Sequence, residues 1–246
     1  MVVNVEFALV DGERSKPKKG QRGTCQWCEG EMVAKCGRYK VWHWAHMPGN
    51  SCDPWWGPES EWHRGWKNLF PEDWQEIVHF DERTGEKHIA DVKTPHGLVI
   101  EFQNSPMSFE ELASREAFYK DMIWIVNGER GDLDRNYFNM GLLGEPLSFR
   151  PLVHLVEWWS SSKLFHKWDE ATVPVYIDFG SLGIWRFLEF FSDKSVGVFA
   201  YIDRDWLVEA CMEGKEIPFT AIPSDAEDEY LAQRQMIEVK RNDYEI

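Results

Sequence analysis

Residues 88–103 read HIADVKTPHGLVIEFQ: two apolar runs, His88–Lys93 and Leu98–Gln103, on either side of the turn residues Pro95-His96-Gly97. Short apolar runs bounded by Pro and Gly are strand and turn signals, so the stretch predicts two neighbouring strands. Each strand carries an acid where propensity would not place one. Asp91 follows Ile89-Ala90, and Glu101 sits between Ile100 and Phe102. A buried, unpaired carboxylate is expensive, so each needs a partner or a metal. Side chains alternate along a strand, which points Glu101 and Gln103 to one face. Asp91 on the next strand can face them. Two carboxylates and an amide at one spot are the oxygen donors that a hard cation takes.

Working outward, Gln75–Phe80 predicts a third strand, joined through Arg83-Thr84-Gly85. Gly57-Pro58 predicts the start of a helix, because Pro suits the first helical position. That helix runs to Phe70-Pro71 and carries Glu59, Glu61, His63 and Lys67. Glu59, His63 and Lys67 are spaced four apart and share one face, with Glu61 off it. Beyond the strands, Ser108–Lys120 reads as a helix, with Arg115 and Tyr119 as a helix-surface pair, and Met122–Val126 as a buried strand. The order αβββαβ predicts an α/β core over residues 57–145.

In front of that core, Cys25-Gln-Trp-Cys28 has the two-residue spacing at which two thiolates converge on one metal. His43-Trp-Ala-His46 and Cys52 follow. Zinc takes four N or S ligands in a tetrahedron, and ligand pairs close in sequence reduce the entropy lost in assembling it. The expectation is a zinc-binding module over residues 1–56, held by Cys25, Cys28, His46 and Cys52, with His43 as the alternative to His46. In an extended strand the two histidines face opposite ways, whereas a helix would let both reach the metal. Cys36, beside Gly37, reads as a plain thiol in a hairpin.

Residues 146–246 form a third part in which Trp158-Trp159, Tyr176–Phe179, Trp185–Phe191 and Val196–Ile202 alternate between helical and strand patterns. Core packing accounts for their aromatics, as for most of the 14 Trp in the chain. This C-terminal extension could also receive a protein partner.

A net charge of -15 argues against non-specific coating of nucleic acid, which needs many phosphate-neutralising cations. The charge is uneven: Arg14, Lys16, Lys18, Lys19 and Arg22 form a basic run, read as a solvated loop, and Asp225–Glu229 is acidic. No apolar stretch reaches the ~18 residues that a membrane span needs. A signal-peptide pattern is also lacking, so a cytoplasmic protein with no membrane role is expected. Five Cys then favour metal ligation or free thiols over disulfides.

Asp91, then Glu101-Phe-Gln103, after a helix carrying Glu59, resembles the PD-(D/E)XK nuclease superfamily, with Gln103 where Lys is most common. Cys25-x-x-Cys28, His43-Trp-Ala-His46, Glu59-Ser60-x-x-His63-x-x-x-Lys67, Ala90-Asp91-Val92 and Ile100-Glu101-Phe102-Gln103-x-Ser105 together resemble the competence protein CoiA-like family. The likeness covers roughly residues 20–128. It implies a PD-(D/E)XK core and a magnesium- or manganese-dependent nuclease acting on DNA, in families linked to uptake and recombination of foreign DNA.

On that reading Asp91 and Glu101 hold the catalytic cation, with the Phe102 carbonyl as a candidate third ligand. Gln103 orients the attacking water, since an amide both donates and accepts. Glu59, His63 and Lys67 would supply an outer ligand and a phosphate contact, and Lys67 or Lys93 the positive charge that Gln103 lacks. The competing expectation is a non-catalytic nucleic-acid-binding or adaptor protein on the same fold.

Overall fold

The computed structural model describes residues 4–47, 52–55, 59–131, 133–149, 152–159, 164–215 and 217. The chain is mixed α/β and forms two compact units, residues 1–101 with 117–120, and residues 102–116 with 121–246. The three parts expected from sequence place their boundaries elsewhere, at 56 and 145. No boundary appears near 56 because hydrogen bonds tie the Cys-rich segment to the strands that follow: the Trp27 indole N–H donates to the Lys87 carbonyl at 2.6 Å.

The first unit opens with six short strands, β1 (Asn4–Val5), β2 (Ala8–Val10), β3 (Glu13–Ser15), β4 (Arg22–Thr24), β5 (Glu31–Lys35) and β6 (His43–His46). They form an antiparallel sheet in the order β1-β6-β5-β4-β2-β3. Val5, Ala8, Met32 and the fully buried Trp44 pack there with Cys25 and Ile89.

Helix α1 (Glu61–Lys67) follows. It starts later than expected because Ser60 is the N-cap, its side chain accepting the His63 N–H at 3.1 Å. Gly57 and Pro58, the expected start, lie outside the described residues. Glu59 therefore precedes the helix, and only His63 and Lys67 share its face one turn apart. After a single 3-10 turn at Glu72–Trp74 come β7 (Gln75–Phe80), β8 (Lys87–Lys93) and β9 (Val99–Gln103). β8 pairs antiparallel with both β7 and β9. All five residues of β9 are buried, so the strand reads as a continuous apolar run interrupted by its acid and its amide.

The chain passes into the second unit within β9 and runs on through α2 (Phe109–Tyr119) and β10 (Met122–Asn127), completing the expected αβββαβ order of elements. The second unit adds α3 (Asp134–Gly141), β11 (Ser148–Phe149), β12 (Leu152–Glu157), α4 (Leu164–Trp168), β13 (Val175–Asp178), β14 (Ile184–Phe191), β15 (Val196–Ile202) and α5 (Arg204–Glu213). Its strands run β11-β12-β15-β14-β13-β10, with only the β13–β10 pair parallel.

Aromatics fill this core. Phe138 stacks on Phe179 with centroids 3.9 Å apart, and Phe165 lies 4.1 Å from Trp158 and 4.8 Å from Phe199. The alternating pattern after residue 146 is thus mostly strand, and Trp159 is the member of the Trp158-Trp159 pair left exposed. The acidic stretch Asp225–Glu229 lies outside the described residues. Among those residues no helix is long and apolar enough to cross a membrane.

Candidate metal and acidic sites

Cys25 closes the turn after β4. Its N–H donates to the Gly30 carbonyl, and its own carbonyl accepts the Glu29 N–H, a fold-back that brings Cys28 beside it. Glu29 takes φ 60° to allow this. Cys25 Sγ is 3.7 Å from Cys52 Sγ, and Cys28 Sγ is 3.1 Å from His46 Nε2. The ligand atoms of all four lie within 4.8 Å of one another. A sulfur–sulfur edge of a zinc tetrahedron with Zn–S bonds of ~2.3 Å is about 3.8 Å, so the donor set and its spacing suit such an ion.

The hydrogen bond from Cys52 brings the Cys25 thiol down to about 5, so it is the thiolate that binds metals. The same bond pushes Cys52 up, and burial raises Cys28. The cluster could hold a metal ion such as zinc. His43, on the opposite face of β6 from His46, donates from Nδ1 to the Val41 carbonyl and is not in the cluster.

Asp91 and Glu101 are 6% and 3% exposed. The register Val92↔Ile100, carried one residue further, sets them opposite each other, and Glu101 Oε1 accepts the Asp91 N–H at 3.2 Å. The Asp91 carboxylate lies 3.0 Å from His63 Nε2 on α1. Burial acts to lower the His63 pKa, but the charge and hydrogen bond of Asp91, with Glu59 beyond, outweigh it and raise the ring above its usual range. Gln103 gives its amide N–H groups to the Ser105 carbonyl at 2.6 Å and hydroxyl at 3.1 Å.

Lys67 does not face solvent or a site where a phosphate could reach it. It is fully buried, its ammonium 2.7 Å from Glu76 and 3.6 Å from Glu6, and it also pairs with Glu59. Burial alone would lower its pKa; Glu76 and Glu59 raise it, so it stays charged. Glu59 also takes Arg64 Nε at 3.0 Å. Glu6, Glu59 and Glu76 form the second set of donors within 4.8 Å among the described residues, and the Lys67 ammonium is the cation they surround. A phosphate contact by Lys67 is therefore closed off.

Lys93 donates to His79 Nδ1 at 2.9 Å. Arg115 and Tyr119 are buried rather than on a helix surface: Arg115, paired with Glu111 of the same helix, has its guanidinium over the Trp124 ring, and Tyr119 packs on Trp55, His79 and Phe118.

Sequence reasoning passed over Glu76, although it carries the signal that marked Asp91: an acid in an apolar strand. It also passed over Asp53. That carboxylate accepts the Ile89 N–H at 2.7 Å and holds His88 Nδ1 at 2.8 Å, with Trp55 stacked on the His88 ring at 3.3 Å.

No curated protein and no solved structure matches the chain. Residues 11–54, the segment that carries Cys25, Cys28, His46 and Cys52, match the family model for the N-terminal domain of competence protein CoiA, which supports a CoiA-like family.

Proposed function

We propose that the chain is a CoiA-like, divalent-metal-dependent nuclease that hydrolyses DNA phosphodiester bonds, with a PD-(D/E)XK-type core and a structural zinc on Cys25, Cys28, His46 and Cys52. One observation carries the reading: two nearly inaccessible acids, Asp91 and Glu101, stand opposite each other on neighbouring strands, with Glu101 Oε1 accepting the Asp91 backbone N–H at 3.2 Å. Among the described residues, Asp91 and Glu101 belong to no group of three His, Cys, Asp or Glu ligand atoms that all lie within 4.8 Å of one another. That suits magnesium, which keeps several waters and is usually bound through one or two carboxylates plus substrate phosphates.

Asp91 and Glu101 would hold Mg2+ or Mn2+, which lowers the pKa of a bound water and withdraws charge from the phosphate. His63 fixes the Asp91 carboxylate and can carry a proton at Nε2. Because Gln103 gives its N–H groups to Ser105, its amide oxygen is what it offers an attacking water.

The test is incubation with linear, circular and single-stranded DNA, with and without magnesium or manganese. The wild type is expected to cut, and Asp91→Ala and Glu101→Ala each to lose at least ~100-fold while retaining their fold. A wild type inert with both metals would overturn the assignment. A non-catalytic nucleic-acid-binding or adaptor role would then hold. It draws on one feature: with Gln103 neutral and Lys67 sealed among three acids, neither supplies a cation to a phosphate.

A further inference from the structure

The chain is strongly acidic, yet residues 13–46 hold eight Lys and Arg against three Glu. Three of those cations are occupied within the fold: Arg14 on the Glu72 and Gln75 carbonyls, Lys16 on Glu72, and Arg22 on Glu31. Lys19, Lys35, Arg38 and Lys40 are exposed and have no carboxylate partner among the described residues. All four line one depression beside the β5–β6 hairpin, together with Tyr39 and His43. Tyr39 is 99% exposed and Trp42 is 49% exposed. The Trp42 indole N–H donates to the Gly37 carbonyl at 3.2 Å, which ties the end of the hairpin loop to its start.

We propose that this hairpin surface binds single-stranded nucleic acid. Four cations without partners around a ring that packs against nothing are what such a strand requires: charge for its phosphates and an aromatic face for its bases. The acidic remainder of the chain confines the attraction to this patch. A duplex fits less well, since its bases are already stacked on one another. The proposal does not rest on the nuclease reading, which concerns Asp91 and Glu101.

Binding of a fluorescein-labelled oligothymidylate is measured by anisotropy, without added magnesium or manganese, in an Asp91→Ala background with zinc left in place. The single strand is expected to bind more tightly than a duplex of equal length. Four phosphate contacts predict an affinity loss of about 50-fold between 50 and 200 mM salt. Combined Lys35→Glu, Arg38→Glu and Lys40→Glu should weaken binding by more than about tenfold and flatten the salt slope by about two. Tyr39→Ala should cost about tenfold, with Tyr39→Phe restoring it. All of these residues are exposed, so melting temperature and zinc content should hold. Equal binding of duplex and single strand, or unchanged binding in the charge-reversed and Tyr39→Ala proteins, would overturn the proposal. A wild-type protein that cuts no DNA while these results stand would sink only the nuclease reading.

Discussion

His63 Nε2 lies 3.0 Å from Asp91 Oδ1, and one turn later on α1 the Lys67 ammonium lies 2.7 Å from Glu76. The helix thus sets one basic group against an acid of β8 and another against an acid of β7. Residues i and i+4 of a helix stack on one side, so both pairs follow from a single placement of α1. The pairs differ in kind. Lys67 stays charged at any physiological pH, whereas His63 titrates.

The sign of the His63 shift fixes a pH dependence. Its pKa is raised in the folded chain, against the pull of burial, by the charge of Asp91. The pair therefore contributes fully below the unfolded histidine value of about 6.5 and is lost as pH rises through the folded value. Thermal melts of wild type and His63→Gln from weakly acidic to alkaline pH should show a gap that is widest at the acidic end and closes upward. A gap constant with pH would show that His63 does not titrate against Asp91.

Lys67→Met should act on stability rather than on substrate affinity. It would leave Glu76 without its cation in a site closed to solvent, with Glu59 keeping Arg64, and removing one partner of a buried ion pair costs about 3–5 kcal/mol. Urea titration measures the loss. A variant that kept its midpoint but lost DNA affinity would return Lys67 to the phosphate role inferred from sequence.

Gln103→Ala tests whether the amide oxygen positions a water. If it does, cutting should fall by about 100-fold with KM little changed, the scale of a lost proton-transfer or water-orienting contact. A change confined to KM would assign Gln103 to binding alone.

What the sequence disclosed and withheld follows from the range of each interaction. Burial of Asp91 and Glu101 was legible because the surrounding apolar residues are local. That only one of His43 and His46 reaches the cluster was legible from strand alternation, whereas which one does depends on where Cys25, Cys28 and Cys52 lie in space. Glu76 shows the same local mark, but its meaning depends on Lys67 and on the Glu6 and Phe7 amides, some seventy residues away. Helical spacing put Arg115 and Tyr119 on one side of α2 without revealing that other elements cover them. The start of α1 was not legible from Pro58, because the cap is provided by Ser60 two residues later.

The metal cluster should govern the strand that bears Asp91. Beside Cys28, Trp27 donates its indole N–H to the Lys87 carbonyl, and next to Cys52, Asp53 accepts the Ile89 amide and holds His88. Both arms of the cluster are therefore fastened to the first half of β8, two to four residues from Asp91. Cys28→Ser should lose the metal, lower the melting temperature and speed hydrogen exchange at the Ile89 amide, which a folded, metal-bound chain protects. Asp53→Ala should keep the metal yet speed exchange at the same amide. It should cost about 2 kcal/mol, because it removes the charged acceptor of a buried N–H. The two variants together separate metal binding from strand support. If Ile89 exchanged at the wild-type rate in Cys28→Ser, the cluster and β8 would be independent, and activity lost on metal removal would need another cause.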